Sequence, residues 1–170
     1  MKNDGLTLPE LLVAIAVLSI LASLGCISGA ETLARQRLEN ASRTLGQGIE
    51  RARSSALRTN TACGMSLTAT GWDPPQGGSL PPCLPDATPL QEPGFGDGGL
   101  RVSHNMPAEL RFSSNGLVLD GGTVVVTMRG TNLRRCLVMA LPMGVVRVGR
   151  YGGDPAASPD SAACLPDPAL

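Results

Sequence analysis

The chain has 170 residues, 14 basic and 14 acidic side chains, and an aromatic content of 2%. This length leaves room for one globular domain beside a membrane segment and excludes a second full domain. Zero net charge argues against a polyanion partner, and so few aromatics argue against a platform for stacking bases. The charge is nevertheless uneven. Lys2 is the only lysine, the thirteen arginines all fall in residues 35–58 and 101–150, and acidic residues gather in 73–97 and from Asp154 onward.

The first element is an uncharged apolar run from Leu11 to Ala30, interrupted only by Ser19, Ser23 and Ser28. As a helix it rises about 1.5 Å per residue and covers roughly 30 Å, the thickness of a bilayer core. Glu10 sits at its mouth. A carboxylate against lipid is costly without a cation, and the nearby sequence offers none. Cleavage after Gly5 would create one, the free α-amine of Leu6. A secretory signal peptide fits poorly because Glu10 intrudes where its apolar region should begin. Ser23-Leu24-Gly25-Cys26 resembles a lipoprotein cleavage site only faintly, since Ser23 stands where that pattern has Leu.

The block Gly5-Leu6-Thr7-Leu8-Pro9-Glu10-Leu11-Leu12, behind a short leader with Lys2, resembles the processing site of type IV pilins and type II secretion pseudopilins. Leu6 stands where the family usually has Phe. The resemblance implies that a prepilin peptidase cuts between Gly5 and Leu6 and methylates Leu6. It also implies that Glu10 forms the assembly salt bridge with the N-terminal amine of a neighbouring subunit.

Past Ala30 the helical pattern continues, with Leu38, Ala41, Leu45, Ile49, Ala52 and Ala56 on one stripe and charged residues opposite. One helix is therefore expected from about Thr7 to Arg58. Its transmembrane half covers 6–30 and its periplasmic half 31–60. Gly46 and Gly48 each weaken it by roughly 1 kcal/mol relative to Ala unless they permit close packing.

Residues 61–68 read as a first strand, and 71–99, rich in Pro and Gly, as a long loop pinned by Cys83 and packed through Trp72 and Phe95. Strands are then expected at 110–112, 117–119, 123–128, 136–140 and 145–148. Turn chemistry separates them at Asn115-Gly116, Gly121-Gly122, Gly130-Thr131-Asn132 and Pro142-Met143-Gly144. The expected fold is α+β: a long N-terminal helix packed on an antiparallel β-sheet domain spanning 61–170.

Of five cysteines, Cys26 lies in the apolar run, leaving Cys63, Cys83, Cys136 and Cys164. In an exported domain an even set points to disulfides. Three pairings are open; Cys63 with Cys83 and Cys136 with Cys164 close the most local loops. Metal binding lacks a short Cys-x-x-Cys spacing, and His104 is the only histidine. No cofactor is expected. No nucleophile-and-base set is present, so an enzyme is not expected either: Ser113 and Ser114 precede an ordinary Asn-Gly turn, and no Lys or helix follows Gly94 to Gly99.

The body further resembles the pilin branch containing the GspH pseudopilin and the FimT minor pilin, through Ala52 to Asn60, Leu110 to Gly116 and the final strands. The resemblance implies a pilin-like fold and a subunit of the bacterial inner membrane. It has a single membrane pass and a periplasmic domain, and it joins other pilins in a filament or pseudopilus. In FimT-like proteins a Gly-Arg-x-Arg motif is associated with DNA binding. The matching stretch here is Gly144-Val145-Val146-Arg147, with Val145 in place of the first arginine. Arg134, Arg135, Arg147 and Arg150 are the candidates for DNA contact. If Val146 and Val148 face inward, Arg147 and Val145 face outward. The expected role is a minor pseudopilin of type II secretion, with a DNA-binding minor pilin as the alternative.

Overall fold

A computed structural model of the chain describes residues 7–75, 77, 79–91, 99–141 and 144–167, with the side chains of 23–28 left aside. Helix α1 covers Leu8–Thr59. Asn60 ends it in the left-handed region at φ 49°, its N–H donating to the carbonyl of Ala56. The predicted stripe is the buried face: Leu38, Ala41, Leu45, Ile49, Ala52 and Ala56 are fully buried. Each large aliphatic among them contributes roughly 1.5–3 kcal/mol by leaving water.

The strands are β1 Cys63–Leu67, β2 Gly71–Asp73, β3 Thr88–Pro89, β4 Leu100–His104, β5 Leu110–Phe112, β6 Gly122–Met128, β7 Arg134–Ala140, β8 Val145–Tyr151 and β9 Cys164–Pro166. They form two antiparallel sheets, ordered β3-β2-β1-β5 and β4-β6-β7-β8-β9. Met65, Trp72, Leu110 and Phe112 from the smaller sheet and Val124, Val126, Leu137 and Met139 from the larger one join the α1 stripe in one core. The strands of the larger sheet run along the helix. At one end the β6–β7 turn reaches the start of the buried stripe, where a Cβ on Gly130 would lie 3.5 Å from the Cβ of Ala34. At the other end Arg53 Nη2 donates to the carbonyl of Gly144 at 2.7 Å.

The opposite face of the larger sheet carries a second apolar cluster of Val125, Cys136, Tyr151 and Cys164. Residues 152–167 form a strap over it. The strap is held by Asn105 Nδ2 donating to the Pro159 carbonyl at 2.9 Å, by the Gly152 N–H donating to Ala163 at 2.9 Å, and by β9 pairing with β8. Gly149 is required there: a Cβ would come within 2.1 Å of the Leu165 carbonyl oxygen. The disulfides are Cys63–Cys83 and Cys136–Cys164, closing loops of 20 and 28 residues, and loops of such length stabilise by roughly 3 kcal/mol each.

Three expectations change. The stretch 71–99 is not all loop. Its start is β2, where Trp72 is buried on α1 and donates from Nε1 to the Leu45 carbonyl at 3.1 Å, and β3 pairs with it. Phe95 lies outside the described residues. Leu117 to Leu119 form no strand; only Val118 is bridged, to Phe112, and Val118 is buried while Leu117 and Leu119 stay exposed. The two helical glycines also differ. Gly48 lies against Trp72, whereas a Cβ on Gly46 would meet nothing within 4 Å.

Candidate functional site

The N-terminus of α1 is built by Thr7-Leu8-Pro9-Glu10. Thr7 is the extended N-cap, Pro9 lies in the first turn where its missing N–H costs nothing, and Leu11 N–H donates to the Thr7 carbonyl at 3.1 Å. Glu10 Oε2 accepts from the Thr7 backbone N–H at 2.8 Å and from the Thr7 hydroxyl at 2.6 Å. The carboxylate is thus held over the positive end of the helix dipole by two donors of its own chain. Glu10 therefore has polar partners although no cation meets it among the described residues. The Thr-x-x-Glu spacing before an apolar run is the signal that identifies Thr7 as the missed residue. The proposed cleavage positions Gly5 and Leu6 lie outside the described residues, as does the side chain of Cys26.

From Leu8 to Ala22 every residue of the helix is exposed. All eight large aliphatic side chains from Leu11 to Leu21 are more than half exposed. Counting only the described residues, no helix is long and apolar enough to cross a membrane.

The four candidate arginines do not form one patch. Strand pairing sets Arg135 opposite Arg150 and Val138 opposite Arg147, so the first pair faces α1 and Arg147 faces the strap side together with Arg134. Val146 and Val148 pack on the main core and Val145 is exposed, as alternation predicts. Arg135 is 5% exposed and wholly committed. Its guanidinium donates to Glu39 through Nε at 2.7 Å and through Nη2, and to Asp167 Oδ2 through Nη1 at 2.5 Å. Burial depresses the Arg135 pKa, but hydrogen bonds and charge from Glu39 and Asp167 outweigh it and raise the pKa above the ordinary arginine value.

Arg135 is thus a structural cation joining helix, sheet and strap. Of the four candidates for DNA contact it is the one the fold buries, paired with Glu39 and Asp167. Arg150 extends that network, with Nη2 3.6 Å from Asp167 Oδ2, and Arg134 donates from Nη1 to the Gly153 carbonyl at 2.8 Å. Arg147 is exposed, its Nη2 3.4 Å from the Ser161 carbonyl. Glu39 and Asp167 were not legible as partners because each is remote in sequence. On the smaller sheet, Arg111 and Asp120 form a bidentate pair, Nε to Oδ2 and Nη2 to Oδ1, both at 2.8 Å. The side-chain hydrogen bond from Arg111 lowers the Asp120 pKa despite partial desolvation.

A capped, partly unpartnered N-terminal helix whose second half packs on antiparallel sheets defines a pilin-like subunit. The chain belongs to the GspH family: the model of the type II transport protein GspH matches residues 41–142, and the model of the prokaryotic N-terminal methylation motif matches residues 1–25. Membership implies processing by prepilin peptidase and assembly with other pilins. No curated protein and no solved structure matches the chain.

Proposed function

We propose that the chain is a minor pseudopilin, a structural subunit of the pseudopilus of a type II secretion system. It is made with the leader 1–5, cut between Gly5 and Leu6, methylated at Leu6 and anchored in the inner membrane with its globular domain in the periplasm. The observation that carries this reading is the apolar start of α1, exposed from Leu8 to Ala22 and headed by a single carboxylate. Such a surface is costly in water, and lipid and then neighbouring helices can cover it. Glu10, already oriented by Thr7, offers its charge to the α-amine of an adjacent subunit. In an apolar assembly that pairing selects both register and partner.

The alternative, a minor pilin that binds DNA through clustered arginines, draws no support from the distribution of Arg134, Arg135, Arg147 and Arg150. The test is Glu10→Ala in cells that assemble the filament. The variant should insert and form both disulfides, yet drop out of the isolated filament. Normal incorporation refutes the assigned role.

A further inference from the structure

The end of the globular domain nearest the apolar half of α1 carries a group of arginines that the assembly role does not use. Arg101 on β4 is the register partner of Thr127 on β6, and Thr127 is the partner of Arg134 on β7. The two arginines therefore lie at one level on one face, two strand spacings or roughly 10 Å apart. Arg129, two residues beyond Thr127, continues the same face into the β6–β7 turn, its N–H donating to the Gly99 carbonyl at 3.1 Å. Arg101 and Arg129 are exposed, and among the described residues neither has an ion-pair or hydrogen-bonding side-chain partner. The neighbouring Arg150 is also exposed on the opposite face.

The height of this group is set by the helix. The β6–β7 turn rests at Ala34, through Gly130. Ala34 follows Ala30, the last residue of the uncharged run, by about one turn or roughly 6 Å of rise. A bilayer's headgroup layer is itself roughly 5–7 Å deep on each side. If the apolar run spans the bilayer, the turn stands at the level of the headgroups, and an arginine side chain covers the remaining distance.

From this juxtaposition we infer that the base of the domain, through Arg101 and Arg129 with Arg134 beside them, is a contact surface for the phosphates of anionic phospholipids. The inference rests on the proposed membrane anchor. The chemistry fits: guanidinium groups form paired hydrogen bonds with phosphate oxygens, and each basic residue at an anionic surface strengthens binding about five-fold. The contact would fix the tilt and rotation of the domain on its helix before the subunit leaves the bilayer. Because it is electrostatic and solvent-exposed, it weakens as salt rises.

The test uses the full chain in nanodiscs of phosphatidylcholine, with and without phosphatidylglycerol, read by amide hydrogen exchange. Exchange at 129–133 should slow when the anionic lipid is present. Arg101→Gln with Arg129→Gln should reverse the slowing by about 25-fold at low salt, while protection of β6 and β7 stays unchanged. Equal exchange in the two discs, with the helix from Leu8 protected in both, overturns the lipid contact and leaves the anchor standing. Free exchange of that helix in both discs removes the anchor and the contact with it. Slowing by added duplex DNA but not by phosphatidylglycerol overturns the proposal in favour of nucleic acid.

Discussion

Gly46 and Gly48 lie two residues apart in one helix, and alanine should act on them with opposite sign. At Gly46 a Cβ meets nothing within 4 Å, so Gly46→Ala gains only helix propensity, about 1 kcal/mol. At Gly48 the new Cβ would fall 2.2 Å from Trp72 Cδ1 and 2.4 Å from Nε1. The indole is buried and fixed by its bond to the Leu45 carbonyl, so it cannot swing aside into solvent. Overpacking of this kind costs about 1–3 kcal/mol, and loss of the indole hydrogen bond adds about 1 kcal/mol. Set against the same propensity gain, Gly48→Ala should lose about 2 kcal/mol net. The two variants should therefore differ by about 3 kcal/mol, or roughly 6–12 °C in thermal midpoint. Reversible unfolding of the chain in detergent, followed by Trp72 fluorescence, measures it. Equal midpoints, or a stabilised Gly48→Ala, would show that the packing of Trp72 on α1 is not as described.

Asp167→Ala removes a carboxylate whose side chain is 6% exposed and leaves Arg135 buried with Glu39 alone. It should cost about 3 kcal/mol, the low end for breaking a buried pair, as read from denaturant midpoints. A loss under 0.5 kcal/mol would contradict the proposed anchoring of the strap. The lowered pKa of Asp120 means that the unfolded chain binds its proton first as pH falls. The stabilisation from Arg111 is thus complete above the ordinary aspartate value of about 4 and fades as pH drops through the folded value. Thermal midpoints of wild type and Asp120→Asn should converge below that range, and a constant gap down to acid pH argues against the pair. Thiol labelling of the unfolded, unreduced chain should find Cys63, Cys83, Cys136 and Cys164 blocked. Four reactive thiols would refute both bridges.

Much of this fold is legible because its periods are long. The six positions from Leu38 to Ala56 recur over five turns, and β6, β7 and β8 are seven residues each. By contrast β2 has three residues and β3 two, too few for alternation to register. They exist because Trp72 finds the space above Gly48, a tertiary fact. Strand β4 was readable in principle, since Leu100, Val102 and His104 alternate with Arg101 and Ser103, but its Gly-rich approach pulls the eye toward loop. Strand β9 contains Pro166 and survives as an edge held by the Cys136–Cys164 bridge.

The N-terminal site was almost wholly readable, because Thr7, Glu10 and the apolar run are contiguous. The arginines were not. Adjacent Arg134 and Arg135 point to opposite faces by strand alternation alone, which already divides the set. The partners of Arg135 lie 96 and 32 residues away, and no local pattern announces them.

In the proposed role, processing between Gly5 and Leu6 is the step on which membrane release, the new amine and the pairing of Glu10 would all depend. Intact mass of the protein extracted from its native membranes tests it most directly. The account predicts a chain lacking residues 1–5 and carrying a methyl group on Leu6. A product that still begins at Met1, or at a lipid-modified Cys26, would contradict it.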